Sequence, residues 1–275
     1  MQALKFTLNG RTAFFKKPDV NSNIYFTYGH IHKVALTGIF GAILGYKGYN
    51  SMNSYHKDEK KDKNKKKFPE FYEKLRDLKI SIVPNNNCGI IDKKVNVFNN
   101  SVGYASKEQG GNLIVKEQWL ENPSWDIYVL LDNDEAIKIK DAILNRSFVY
   151  IPYLGKNDHM AEFHNIEIFD CNKVSNVNYI DSFFKKEDYK ISVKPSDEKK
   201  SKFSNSLKGI AKLKNKALNK EENIEVFKYE EKLPVALNEV TNLYILENLV
   251  YTNSYLNEIN ECLTFKVSDK TLQFI

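Results

Sequence analysis

His32-Lys-Val-Ala-Leu-Thr-Gly-Ile-Phe-Gly-Ala-Ile-Leu-Gly45 carries Leu36, Ile39, Phe40, Ile43 and Leu44 at helical spacing, the pattern of a helix that buries one face. Gly38, Gly41 and Ala42 lie between them, and small residues there let a helix lie close to a sheet. The glycines do not form a phosphate loop, because the required Gly-Lys-Ser/Thr is missing. Working outward, Ala3–Leu8 alternates apolar and polar residues and predicts a strand. The irregular segment 9–32 holds Lys16, Lys17, Pro18 and several Asn and Tyr. On the other side, residues 68–78 predict a short helix leading into a strand at 79–83. A strand at 94–98 follows inside an Asn/Gly/Ser-rich stretch, 85–112, and then strands at 113–119 and 126–131. Asp132-Asn-Asp-Glu135 supplies a cap and first-turn acids for a helix through Asn145, and Phe148–Pro152 predicts one more strand. With the insertions set aside, the order is strand, helix, strand, strand, helix, strand: an α+β, ferredoxin-like (RRM-like) βαββαβ plan. That plan hosts many functions.

Beyond Leu154-Gly155 the pattern changes. Strands are predicted at 162–169, 224–229 and 263–275, a second, β-rich region. The expected division is therefore 1–158 and 159–275. Lys194–Lys220 carries nine Lys against two acids, with Leu207, Ile210, Leu213 and Ala217 on one side of a short predicted helix. Lys57–Lys67, with seven Lys and three acids, reads as a solvated surface insertion.

The 275 residues are 42% hydrophobic and 13% aromatic, enough for a real core and against disorder. A net charge of +6 suits a polyanionic partner, although a Lys- and Asn-rich composition also follows from an A+T-rich genome. Arg occurs only at Arg11, Arg76 and Arg146, so any nucleic acid would be held by Lys point charges and backbone amides rather than guanidinium forks. Cys88, Cys171 and Cys262 are few and far apart, which fits a reducing cytoplasm rather than a disulfide framework. Met1-Gln-Ala-Leu-Lys-Phe6 lacks a signal region and reads as the start of a strand. The longest apolar stretch, Val34–Tyr46, is too short for a bilayer, which takes ~20 residues. A cytoplasmic chain with no membrane contact is expected.

Enzyme motifs are missing: no HExxH, CxxC pair, GxSxG or Rossmann glycine pattern occurs. His159 and His164 are five residues apart, a step that separates them on a helix and puts them on opposite faces of a strand. No metal or cofactor is expected. Tyr28, His30, His32 and Lys33 lie together in sequence. Such a set could activate a ribose hydroxyl and protonate a leaving oxygen, or its rings could stack and bond to backbone. The common RRM aromatic strand motif is absent too, so RNA contact would use loops and hairpins.

Phe14-Phe-Lys-Lys-Pro-Asp-Val20 with Tyr28-Gly-His and the helix through Gly45, then Asn99-Asn-Ser-Val-Gly-Tyr104, Trp119-Leu-Glu-Asn-Pro-Ser-Trp-Asp126 and Tyr150-Ile-Pro-Tyr-Leu-Gly-Lys-Asn-Asp-His159, occur in one order. The set resembles the Cas-five family of CRISPR proteins, its type I-B members most, over residues 3–160. The resemblance implies a RAMP-superfamily ferredoxin-like core with an inserted β-hairpin thumb at about 85–112. It also implies a non-catalytic role, gripping the 5′ handle of the crRNA at one end of Cascade. The implied partners are that RNA, the repeating backbone subunit, the large subunit and target DNA. Members in another subtype cut precursor crRNA through a Tyr/His/Lys site, which keeps a metal-independent endoribonuclease as an alternative; a protein-only structural module is another.

Single-stranded RNA is recognised by stacking splayed bases and reading their edges. The residues expected to do this are Lys16, Lys17, Asn21, Tyr25, Tyr28, His30, His32 and Lys33 near the first strand. In and beside the thumb they are Asn99, Asn100, Ser101, Tyr104, Lys107, Gln109, Gly110 and Gly111. Lys156 and His159 are expected to project from one end of the sheet.

Overall fold

The computed structural model describes residues 1–19, 23–52, 68–101, 103–104, 107–192 and 226–275. Asn21, the 57–67 lysine run and the 194–220 segment with its expected helix lie outside the described residues.

The fold is α+β and rich in strands. Strand β1 (Gln2–Asn9) puts Leu4, Phe6 and Leu8, all fully buried, on one face, and Lys5 and Thr7 on the other. After the short β2 (Thr12–Ala13) and a long connection, α1 (Lys33–Leu44) lays Leu36, Ile39, Phe40 and Ile43 against that apolar face. Phe6 and Phe40 meet edge to face at 6.2 Å. His32 caps α1 by accepting the Ala35 N–H at Nδ1 (3.2 Å), and Gly45 closes it at φ +73°, the left-handed turn glycine makes without strain. Helix α2 (Glu70–Leu75) docks on α1 at Gly41, where an added Cβ would sit 2.5 Å from the Phe71 Cβ. Then come β3 (Ile80–Pro84), β4 (Lys93–Asn99), β5 (Ile114–Glu121), β6 (Ser124–Leu130), α3 (Asp134–Leu144), which is capped by Asn133, and the long β7 (Glu162–Lys173).

Four of these strands stand side by side, all antiparallel, in the order β7–β1–β6–β3. Helices α1 and α3 pack on one face: Ile139 and Ile143 share a core with Phe6, Ile80, Trp125 and Ile127. The opposite face is polar where Thr7 donates to Asp126 (2.7 Å) with Lys5 alongside (3.7 Å).

Phe148–Pro152 is not a strand. The N–H groups of Val149 and Tyr150 donate to the Ile43 and Ala42 carbonyls (3.0 and 3.2 Å), satisfying acceptors that the end of α1 leaves open. The fourth strand on this side of the sheet is β7, pairing Asn9 with Glu162 through Gln2 with Asp170. The expected division at 158/159 thus falls just ahead of a strand that sits beside β1.

The C-terminal chain returns repeatedly to the first half. Strands β13 (Thr264–Val267) and β14 (Lys270–Gln273) extend the sheet beyond β7. Hairpin β10 (Lys228–Leu237) and β11 (Tyr244–Thr252), edged by β8 (Phe184–Lys185), buries Leu233 and Leu249 in the same core as α1. Strands β9 (Tyr189–Ser192) and β12 (Tyr255–Glu258) form a separate pair. Hairpin β4–β5, joined by β2, makes a third small sheet in the order β2–β5–β4. The expected thumb span of 85–112 takes in β4 and the tip but omits the return strand β5. It also includes the turn Asn87–Gly89, which is tied to the core through the Gly89 carbonyl.

Candidate nucleic-acid interface

At the base of the β4–β5 hairpin a groove of about 610 Å³ runs along α1. Ala35, Gly38 and Ala42 form its floor, small residues that α1 leaves partly exposed. One wall is the extended chain Phe14–Lys16, and the other is Tyr153 with Gly155 and Lys156. Tyr244, at the start of β11, and Glu117, on β5, close the ends.

Two lysines reach this groove by different means. Lys16 is exposed, and its ammonium lies 3.8 Å from the centre of the Tyr25 ring, a cation–π contact that fixes its position without neutralising it. Tyr25 is itself held by its backbone, donating to the Lys116 carbonyl and accepting from Gln118, both at 2.9 Å. Lys156 is bound by both oxygens of Glu117 (3.1 and 3.0 Å) and lies over the rings of Phe98 (5.2 Å) and Phe14 (5.7 Å). Glu117 also accepts from the Trp119 indole (2.8 Å), so both oxygens of this buried carboxylate have partners. Lys17 turns away to Glu231 (3.4 Å) and the Tyr28 ring (5.3 Å).

The histidines depart from expectation. His30 is fully buried: Trp125 donates its indole N–H to Nδ1 (2.9 Å), and Nε2–H donates to the Gly89 carbonyl (2.7 Å). Burial lowers its pKa from 6.5 to about 4, against the raising effect of the Gly89 bond. It is a core hydrogen-bonding residue and does not reach RNA. His159 does not project either. Its loop closes when Leu154 N–H donates to the His159 carbonyl (2.7 Å), turning the ring inward against Trp119 (4.6 Å) with Nδ1 on the Thr12 hydroxyl (2.7 Å). Tyr28 is also buried, its phenol pushed up to about 12 chiefly by desolvation. His32 is 3% exposed, yet it lines the groove, and burial brings its pKa to about 3. Lys33 does not line that groove; its pKa is lowered to about 8 by burial, with Asp77 opposing the shift.

The tip of the hairpin is open. Asn99, Asn100, Tyr104, Lys107, Gln109 and Gly110 are exposed, Tyr104 at 78%. Ser101 and Gly111 are half-buried. Local bonds shape the turn: Ser101 N–H donates to Asn99 Oδ1 (2.9 Å), Asn100 N–H to the Leu113 carbonyl (2.8 Å) and Gly111 N–H to the Glu108 carbonyl (3.0 Å). Gly110 adopts φ +77°. Val95, Val97 and Ile114 stand exposed on one face of the hairpin.

Sequence reasoning missed Glu117, Tyr153 and Tyr244. Nothing local marks them; they meet only because β5, the 150s loop and β11 converge on α1. The small residues of α1 were a signal with two meanings. Gly41 serves close packing, whereas a Cβ added at Gly38 would meet nothing within 4 Å.

Among the described residues no three His, Cys, Asp or Glu stand together to hold a metal, and no helix is long and apolar enough to cross a membrane. No protein-family model matches the sequence, and no curated protein matches it. Among solved structures, the chain is similar to a chain of a CRISPR RNA-guided surveillance complex, at 11% identity, 92% coverage of this chain, 91% of that chain and a TM-score of 0.47. It is similar to a CRISPR protein from Archaeoglobus fulgidus, at 8% identity, 99% and 98% coverage and a TM-score of 0.45. It is also similar to a chain of the Type III-B Cmr-beta assembly bound to cognate target RNA and AMPPnP, at 11% identity, 94% and 86% coverage and a TM-score of 0.41. At this level of similarity nothing passes from those proteins to this one, whose function must be read from its own residues.

Proposed function

We propose that this chain is a non-catalytic subunit of a CRISPR surveillance complex that holds the 5′ handle of the crRNA. The strand order β7–β1–β6–β3 with two helices on one face is the arrangement we assign to a ferredoxin-like core, and the β4–β5 hairpin takes the place of the thumb. The observation that carries the reading is the groove at the hairpin's base, where Lys16 stands on Tyr25 beside Lys156 and the open Tyr153. Fixed cations next to exposed rings are what a splayed single strand requires: charge for phosphates and faces for bases. The ordered resemblance of residues 3–160 to the Cas-five family points the same way.

Burial of His30, with both ring nitrogens engaged inside the protein, argues against the endoribonuclease alternative, since the Tyr28–His30–His32–Lys33 group offers no paired acid and base to solvent. The backbone subunit, the large subunit and target DNA are proposed as partners on the family resemblance, and the cytoplasm as the location. Exposed Val95, Val97 and Ile114 suit contact with a neighbouring subunit.

The test uses purified protein with labelled repeat RNA and handle-only RNA in EDTA. Handle-selective binding that weakens steeply with salt, with the RNA intact, is expected. Clean cutting at one position, lost on changing His32, would make the chain a processing enzyme. Absence of any RNA binding would leave the protein-only module.

A further inference from the structure

Resting on the RNA-binding reading, we infer that the groove along α1 is a receptor for one unstacked nucleobase of bound RNA, oriented by the Nε2–H of His32. The shape of the groove comes first. Gly38 leaves its floor flat and open, since a Cβ there meets nothing within 4 Å, and Ala35 continues the floor one turn earlier. Phe15, Tyr153 and Tyr244 supply ring surfaces around it. The volume of about 610 Å³ is within the range of small-ligand sites.

The chemistry follows from the capping of α1. Ala35 donates its N–H to His32 Nδ1, so in the neutral ring the proton sits on Nε2. Burial keeps the ring neutral. Nε2 bonds to no described residue and is not sealed off in the way the buried Nε2 of His159 is. The histidine therefore presents a spare donor in the groove it lines. Glu117, which also lines the groove, is already engaged by Lys156 and Trp119. An aromatic, acceptor-bearing ring with a phosphate attached meets each requirement: base carbonyl or ring nitrogen on Nε2–H, base face on the Ala35–Gly38 floor, phosphate toward Lys16 at the rim.

Two variants test this in the full-length chain. Gly38→Leu fills the groove and favours the helix. His32→Asn keeps a good capping residue while removing Nε2. Fluorescence anisotropy with 5′-labelled octauridylate, octaadenylate and octacytidylate measures affinity across a salt series, and thermal melting reports folding. Wild type is expected to favour one base. Each variant is expected to lose about tenfold affinity for that oligonucleotide with the salt slope unchanged, because phosphate contacts remain. Undiminished affinity in a folded Gly38→Leu variant would overturn the groove assignment and leave the RNA-binding reading standing. No binding by wild type to these oligonucleotides or to repeat RNA would remove both.

Discussion

His30 shows how one residue can carry an enzyme's sequence pattern and a core residue's job. Two residues from His32 and beside Tyr28, it looks like part of an acid–base set; burial and two internal bonds make it a strut between Trp125 and Gly89. Its folded pKa of about 4 lies below the ordinary 6.5, and His32 sits at about 3. The unfolded chain therefore binds more protons than the folded one between about pH 6.5 and 4, so stability is full above that window and falls as the pH drops through it. Each histidine contributes on the order of 3 kcal/mol to that loss. Urea melts should show the midpoint falling from about pH 7 to 5, and His30→Gln should flatten that fall; a pH-independent midpoint would count against neutral buried rings. Gly155 was legible only as punctuation. It adopts φ +92°, and a Cβ added there would run into the Phe14 carbonyl. Gly155→Ala should cost about 2 kcal/mol or more, read as a lowered urea midpoint. Burial, rather than residue type, decides all these roles, and burial depends on partners such as Phe183 and Tyr229 around His30 that lie far along the chain.

Among the elements, β1 and α1 could be read locally from a clean period, α3 from the cap and first-turn acids at 132–135, and β3 and β6 as short apolar runs. Phe148–Pro152 could not. Its apolar run looks like a strand, yet Val149, Tyr150 and Ile151 are 61%, 60% and 70% exposed, and its backbone serves the end of α1 instead. Strand β7 is legible as a strand over 162–169, but its place beside β1 is not, since that pairing spans more than 150 residues and leaves no local trace. The described residues at the tip of the β4–β5 hairpin contribute nothing to the hydrophobic clusters. Replacing residues 100–113 with an Asn-Gly turn, which suits a two-residue hairpin, should leave the melting temperature within a few degrees. Affinity for handle RNA should fall by about tenfold or more, measured by filter binding. Unchanged affinity would move recognition wholly to the groove.

At the scale of the molecule, the two halves that the sequence suggests are folded into one another. Strand β7 lies between β1 and β13, and hairpin β10–β11 puts Leu233 and Leu249 into the core under α1. Glu231 on β10 accepts the Gly29 N–H with both oxygens (3.1 and 2.9 Å) and the Tyr229 hydroxyl (2.8 Å), and it pairs with Lys17 (3.4 Å). That clasp holds the segment carrying Lys16 and Tyr25 from 202 residues away, a separation no local pattern can report. A fragment ending at residue 158 would lose β7, the strand that pairs with β1 opposite β6, together with the apolar cover over α1. It would also leave the Gly29 N–H without its acceptor. Unpaired strand edges and exposed core side chains both favour aggregation or disorder. The fragment is therefore expected to give a poorly dispersed amide NMR spectrum and rapid proteolysis, under conditions where the whole chain is dispersed and resistant. A folded, RNA-binding fragment would instead mean that the groove and hairpin stand on the β1–β6–β3 strands and their helices alone, with the C-terminal half free to serve another surface of the assembly.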